Sequence, residues 1–310
     1  MIVTTPQQFT QALEQVPARQ GGAATMAAAL LVSPVGFRIS DQPVDNLYMR
    51  TTPIDPARAM QQHHALVEAL GACGLPVLVV PGRDGLDDGV FPNNTFATTS
   101  PGGPGNPGKF IVGAMKHPVR RAEAARDDIR RLFTDTLGRS LVDLSALDCV
   151  AELTGPLVID RGRGIGFCGL SQRADEAGCA AMHDAFGLRL TFQFGLRPGE
   201  YHTNVVLSVL AGRACVLDPD AFLDPDVPEA IAAAYPGRTL ALDAAEKAAF
   251  AGNCIAVTDR DVMLSHTALA ALRSGSRAAL ESWGFRLHAV EVDEFEKAGG
   301  SLRCMIAEVF

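Results

Sequence analysis

The chain has 310 residues, of which 47% are apolar, 20% charged and 6% aromatic. That is enough apolar material for a substantial core, which excludes a disordered chain, a collagen-like chain and a small disulfide scaffold. Thirty-five acidic residues against 27 Lys and Arg give a net charge of −8, spread along the chain. No basic stripe of the kind nucleic acid or an anionic membrane requires is present, and both partners are set aside.

Residues 1 to 22 are polar, carry Pro6 and Pro17, and read as an N-terminal extension, either a short helix or a frayed lead. The apolar stretch Ala23 to Val32 is about half the roughly 20 residues a helical span needs. Gln20, Gly21 and Gly22 precede it where a signal peptide would need a basic flank, so a cytoplasmic chain is expected. The first core strand is expected over Ala29 to Pro34. Strands are then expected over Val90 to Thr98 and Lys109 to Ala114. The turn-rich run Ser100 to Gly108 between them suits a wide hairpin loop better than a linker, so residues 23–310 read as one domain. Further along come paired strand signals at Leu157–Asp160 with Gly164–Leu170, Tyr201–Val209 with Arg213–Leu217, and Gly252–Thr258 with Asp261–Ser265. Helical spacing follows two of these pairs, at Asp175–Phe186 and Thr267–Trp283, and each helix leads through a glycine to another strand, Leu188–Phe194 and Phe285–Val292. A last strand signal covers Leu302–Val309.

A polar or reactive residue opens the first strand of each unit: Asn94, Glu152, His202, Asn253 and Cys304. Their separations are 58, 50, 51 and 51 residues. A ββαβ unit returning five times at that period predicts an α/β fold closed into a ring of five such units, with these positions near the ring axis. Cys304, His202 and Glu152 would then meet at one end of a central channel.

The seven cysteines, at 73, 149, 168, 179, 215, 254 and 304, form no CxxC pair and no Cys/His cluster at zinc spacing, so they read as reduced thiols, and neither metal nor cofactor is implied. Six are expected to be core filler. Cys304 differs, because Gly299 and Gly300 precede it and Arg303 beside it could lower its pKa. On an alternating strand His202 and Asn204 would share one face, pointing to a polar cavity. Asp160 could contribute to a site or close a turn with Arg161. His63, His64 and His117 lack such company and read as surface residues.

Seven motifs occur in order: Phe91-Pro-Asn-Asn94, Glu152-x-Thr-Gly155, Val158-Ile-Asp-Arg161, Leu170-Ser-x-Arg173, Tyr201-His-Thr-Asn204, Phe250-Ala-Gly-Asn253 and Gly299-Gly-Ser-x-Arg-Cys-Met305. The set resembles the guanidino-group-modifying (pentein, amidinotransferase-like) superfamily, and within it the citrulline-utilisation hydrolases related to arginine deiminases and dimethylarginine dimethylaminohydrolases. The resemblance implies a five-bladed α/β propeller with Cys304 as nucleophile, His202 as general acid/base, Glu152 on the substrate's nitrogen end and Arg173 on an α-carboxylate. Asn94 and Asn204 stand where deiminases of the superfamily carry aspartates. The branch usually has glycine and serine where this chain has Leu153 and Pro156.

Hydrolysis of a guanidinium or ureido carbon calls for a strong nucleophile and a proton for the leaving amine. Thiolate and imidazolium would stabilise each other, which is expected to depress the Cys304 pKa. With one firm carboxylate and two Asn, the site suits a neutral ureido group, so citrulline is the expected substrate, with Asn94, Arg173, Asn204, Asn253 and Asp160 as binding residues. The alternatives are arginine or an N-substituted arginine, and, in a different class, a non-catalytic metabolite-binding chain of the same fold. The remaining partners are the small amino acid and a second copy of the chain in a homodimer.

Overall fold

Each repeated apolar run pairs antiparallel with the run that follows its turn, and the strand after the helix adds in parallel. The computed structural model describes residues 1–16, 23–39, 46–50, 52–103 and 105–310. In the first blade Phe96–Thr98 pairs with Lys109–Val112 around the predicted wide hairpin, and Ser140–Asp143 adds alongside. The second joins Leu157–Asp160, Ile165–Leu170 and Leu190–Gly195. The third holds Leu207–Leu210, Ala214–Leu217 and Thr239–Ala241, and the fourth Ile255–Ala256, Asp261–Ser265 and Arg286–Val290. The fifth blade is stitched from distant parts of the chain: Ala307–Val309 pairs antiparallel with Ala28–Val32, which runs parallel to Val77–Val80. The inner strands meet around the axis, Leu207–Leu210 lying against both Leu157–Asp160 and Ile255–Ala256, and Ala307–Val309 against Phe96–Thr98.

Helices cover the blades on the outside. Glu176–Phe186 starts at Asp175, whose carboxylate accepts from the Gly178 N–H, and ends at Gly187 with φ 64°. That is the N-cap and left-handed C-cap pairing that stops a helix cleanly. The third blade carries a short helix, Val227–Ala233, that the sequence pattern did not announce. The predicted Thr267–Trp283 helix is instead two, His266–Ala271 and Ser274–Ser282, broken at Leu272 and Arg273, whose backbone N–H is held by Glu246. Among the described residues no helix is long and apolar enough to cross a membrane.

The N-terminal lead takes the helical alternative as far as it is described. Ile2–Val3 adds to the second blade beside Thr191 and Phe192, and the helix Pro6–Leu13 buries Phe9 against Phe192, ring centroids 4.7 Å apart. Burying that phenyl group stabilises the docking by about 2–3 kcal/mol. Residues 17–22 of the lead lie outside the described set.

Three expected strand starts are instead single turns of helix: Pro92–Asn94, Thr203–Val206 and Leu302–Met305. A one-turn helix that is buried on all sides is as apolar as a buried strand, so short-range pattern does not separate them. The consequence falls on the site, because Asn94, Asn204 and Cys304 ride on these turns.

His63 corrects another expectation. It is 1% exposed on the helix Pro56–Ala72, with neither ring nitrogen hydrogen-bonded, and burial lowers its pKa to about 4. A histidine buried neutral contributes stability that is present above its unfolded value of 6.5 and is lost as pH falls toward 4. Urea midpoints measured from pH 7 to pH 4 are therefore expected to fall less steeply for His63→Leu than for the parent chain; parallel profiles would contradict this.

Candidate active site

The five equivalent positions ring one end of the propeller axis, and hydrogen bonds join them into two arms. In the first arm, Asn94 Nδ2 donates to Glu152 Oε2 at 2.9 Å, and His202 Nε2 lies 3.0 Å from the same oxygen. In the second, Asn253 Nδ2 donates to Cys304 Sγ at 3.4 Å. His202 and Cys304 line one pocket together with Asp88, Asn94, Arg120 and Arg173. Gly155 is the residue that lets His202 lie flat on its neighbour loop, since a Cβ there would stand 2.7 Å from the imidazole ring.

Glu152 lies behind this pocket rather than in its wall, where the sequence had put it on the substrate's nitrogen end. It is fully buried, and its oxygens are taken by Asn94, His202, the Lys116 N–H at 3.2 Å and Arg173 Nη1 at 3.2 and 3.3 Å. Burial would raise its pKa, but Arg173, His202 and Arg120 outweigh it and hold the carboxyl well below its ordinary range. The loop that carries it contains the departure noted above. Leu153 has φ 38°, on the left-handed side that favours glycine, and its fully buried side chain offsets a strain of about 1–3 kcal/mol.

Cys304 is not a pre-formed thiolate. Burial raises its pKa, against the pull of the Ser301 backbone hydrogen bond, Asn253, Arg303 and Arg120. Burial likewise lowers His202, against its bond to Glu152. The expected depression of the Cys304 pKa is therefore corrected: desolvation pushes the thiol up and the imidazole down, and both shifts favour the neutral forms. Of the other cysteines, Cys168, Cys179, Cys215 and Cys254 are buried and Cys73 and Cys149 half-buried.

The remaining binding candidates divide. Asn94 and Arg173 line the pocket. Asn204 does not: on a helical turn the two-residue alternation fails, and its Nδ2 donates to the Thr154 carbonyl at 2.9 Å. Asn253 is bound to Cys304 instead of facing the pocket. Asp160 is away from it too, closing the turn to Arg163 rather than Arg161, with Arg163 Nε at 2.8 Å and the Tyr235 hydroxyl at 3.0 Å. Among the described residues Cys73, Asp261 and His288 alone bring three potential metal-donor atoms close together. The Asp261 carboxylate is already held by Arg286, Thr258 and His288.

Three site residues escaped the sequence reading. Asp88 puts the one acidic side chain of the described residues in the pocket wall, where burial raises its pKa against the pull of Arg120 and Arg173. Arg120 clamps the loop that carries it, donating to the carbonyls of Asp88 and Phe91, to Asn94 Oδ1 and to Thr95 Oγ1, while Glu123 holds Arg120 at 2.7 Å. The available signal was the Arg120-x-x-Glu123 spacing, an i,i+3 pair on one face of the helix Pro118–Ala124.

Five ββαβ blades closed around an axial pocket define a pentein, and the family model that the chain matches makes it a hydrolase acting on the C–N bonds of linear amidines. The chain belongs to the family described as N,N dimethylarginine dimethylhydrolase, eukaryotic, whose model matches residues 34–310. It is 24% identical over 260 residues to the uncharacterized protein YkgA of Bacillus subtilis (strain 168), covering 84% of this chain and 80% of that one. It is 23% identical to the protein ZK1307.1 of Caenorhabditis elegans over 94% and 97% of the two chains. Among solved structures, the N-terminal domain of ArgZ, an arginine dihydrolase from the Ornithine-Ammonia Cycle in Cyanobacteria, superposes with a TM-score of 0.78 at 20% identity over 91% of this chain and 97% of that one. A dimethylarginine dimethylaminohydrolase bound to S-methyl-L-thiocitrulline gives 0.70 at 18% identity, over 92% and 100%.

Proposed function

We propose that the chain hydrolyses the guanidinium carbon of an arginine-type amino acid, free or N-substituted, through a covalent intermediate on Cys304. The observation that carries this is Asp88, the one acid among the described residues in the wall of the pocket shared by Cys304 and His202. Burial pushes its pKa up against the pull of Arg120 and Arg173, and a guanidinium placed beside it gives the ionised carboxylate a further counter-charge, as the buried cation itself requires. The citrulline expectation rested on Asn94 and Asn204; Asn204 is outside the pocket, and the Asn94 amide is already bonded at both ends. The family description and the arginine dihydrolase likeness support the same substrate class.

With Nε2 engaged by Glu152, His202 has Nδ1 left for proton transfer. The Cys304 S–H proton passes to Nδ1, and the imidazolium so formed is held by the Glu152 carboxylate. The thiolate attacks the guanidinium carbon, and the departing amine takes the proton from His202, leaving a thiouronium. His202 then removes a proton from water, the hydroxide adds to the same carbon, and the carbon–sulfur bond breaks as the proton returns to sulfur. The positive substrate favours loss of the thiol proton, because its cation stands beside the sulfur that becomes negative. Arg173, in the pocket wall, takes the α-carboxylate.

Incubation with arginine, Nω,Nω-dimethylarginine, citrulline and agmatine, with products identified by mass, tests the reading. One of the two arginines is expected to be consumed, agmatine is expected to be a poor substrate, and Cys304→Ala is expected to be inactive. Turnover of citrulline with neither arginine would overturn it, as would an active Cys304→Ala.

A further inference from the structure

We infer that Asn253 is a positioning residue that holds the Cys304 sulfur and donates a hydrogen bond to its thiolate. The inference rests on the nucleophile assigned above to Cys304, and it removes Asn253 from the substrate-binding set. Two backbone partners fix the orientation of its carboxamide. Oδ1 accepts from the Arg303 N–H at 3.1 Å, and Nδ2 donates to the Asn204 carbonyl at 2.8 Å. An amide nitrogen carries two hydrogens, so with one on Asn204 the other is directed at Sγ, 3.4 Å away. The flipped amide would set oxygen against the Asn204 carbonyl and nitrogen against the Arg303 N–H, losing both bonds.

The place of Asn253 in the ring explains why a residue of this kind is needed. It is one repeat before Cys304, as Glu152 is one repeat before His202, and each reaches forward to its neighbour. Glu152 holds the acid/base and Asn253 holds the nucleophile. Asn253 is 1% exposed and Cys304 4%, so this donor meets the sulfur on its protein side, away from bulk solvent. A neutral amide has a further advantage over a cation here, because it stabilises the thiolate without repelling a positively charged substrate.

The test follows Cys304 alone, by mass spectrometry of its peptide after timed iodoacetamide treatment between pH 6 and 11, in the folded full-length chain. A lost hydrogen bond to a charged sulfur is expected to raise the apparent thiol pKa by about one unit or more, slowing alkylation near neutrality about tenfold in Asn253→Ala. Asn253→Asp keeps the size and the Oδ1 partner but sets a carboxylate against the sulfur, and is expected to shift the pKa further upward. Should the alanine variant not fold, the aspartate variant decides. An unchanged thiol pKa in a folded variant of either kind overturns the inference. The readout needs no substrate, so absence of arginine turnover would sink the proposed function while leaving this result standing.

Discussion

Glu152→Gln is expected to lower kcat by about 10³- to 10⁴-fold with little change in KM. The carboxylate accepts from Asn94, His202, Arg173 and a backbone N–H at once, and only an acceptor on both oxygens can do so. Glutamine turns one oxygen into a donor. Facing His202 with it moves the ring proton from Nε2 to Nδ1, and the nitrogen that should receive the thiol proton is then occupied. Loss of the correct tautomer has an effect of this size when an Asp–His pair is broken in serine proteases. Steady-state kinetics at neutral pH check the expectation, and a loss below tenfold would contradict it. The shift of Glu152 has a stability counterpart. Its folded pKa is depressed, so its contribution is present above the ordinary carboxylate value of 4.5 and lost as pH falls.

Arg120→Ala is expected to cost about 3–5 kcal/mol of folding stability, because it leaves Glu123 buried without its partner. The two side chains are 5% and 3% exposed and 2.7 Å apart. Urea denaturation measures the loss, and a change under 1 kcal/mol would contradict it. Replacing both residues with methionine separates the two roles of the arginine. The double variant is expected to recover much of the stability, since no buried Glu123 carboxylate is then left without its Arg120 partner. Activity is expected to stay low, because nothing then clamps the carbonyls of Asp88 and Phe91 or the Asn94 amide.

The ring was legible because chemistry, not hydrophobicity, marks its period: one polar residue about every fifty positions stands out against apolar surroundings. Closure was legible for the same reason, since Cys304 completes the series. The turns carrying Asn94, Asn204 and Cys304 were not, because four or five buried residues fit a strand and a helical turn equally well, and this misassigned the side chain of Asn204. Asp88 was hidden in the acidic, glycine-flanked run Asp84 to Gly89, which reads as a solvated turn until Arg120 is seen to pull it inward. Arg120 lies on a helix over twenty residues away, and the pairing of a helix with a particular loop is set by tertiary packing, which local pattern does not encode. The chain's two arms were half visible: the residues were named, but which of them touches substrate and which holds another side chain depends on distances of a few ångströms.

The fifth blade joins Ala307–Val309 to Ala28–Val32 across almost the whole sequence, and Cys304 stands three residues before the joining strand. Such a contact has the longest loop to close, so the entropy of closing it opposes folding most strongly and it is expected among the last to form. The other four catalytic-ring positions can assemble on their blades before then. The reactive sulfur is therefore delivered to its partners by ring closure itself, and a partly folded chain carries an acid/base arm with no nucleophile facing it.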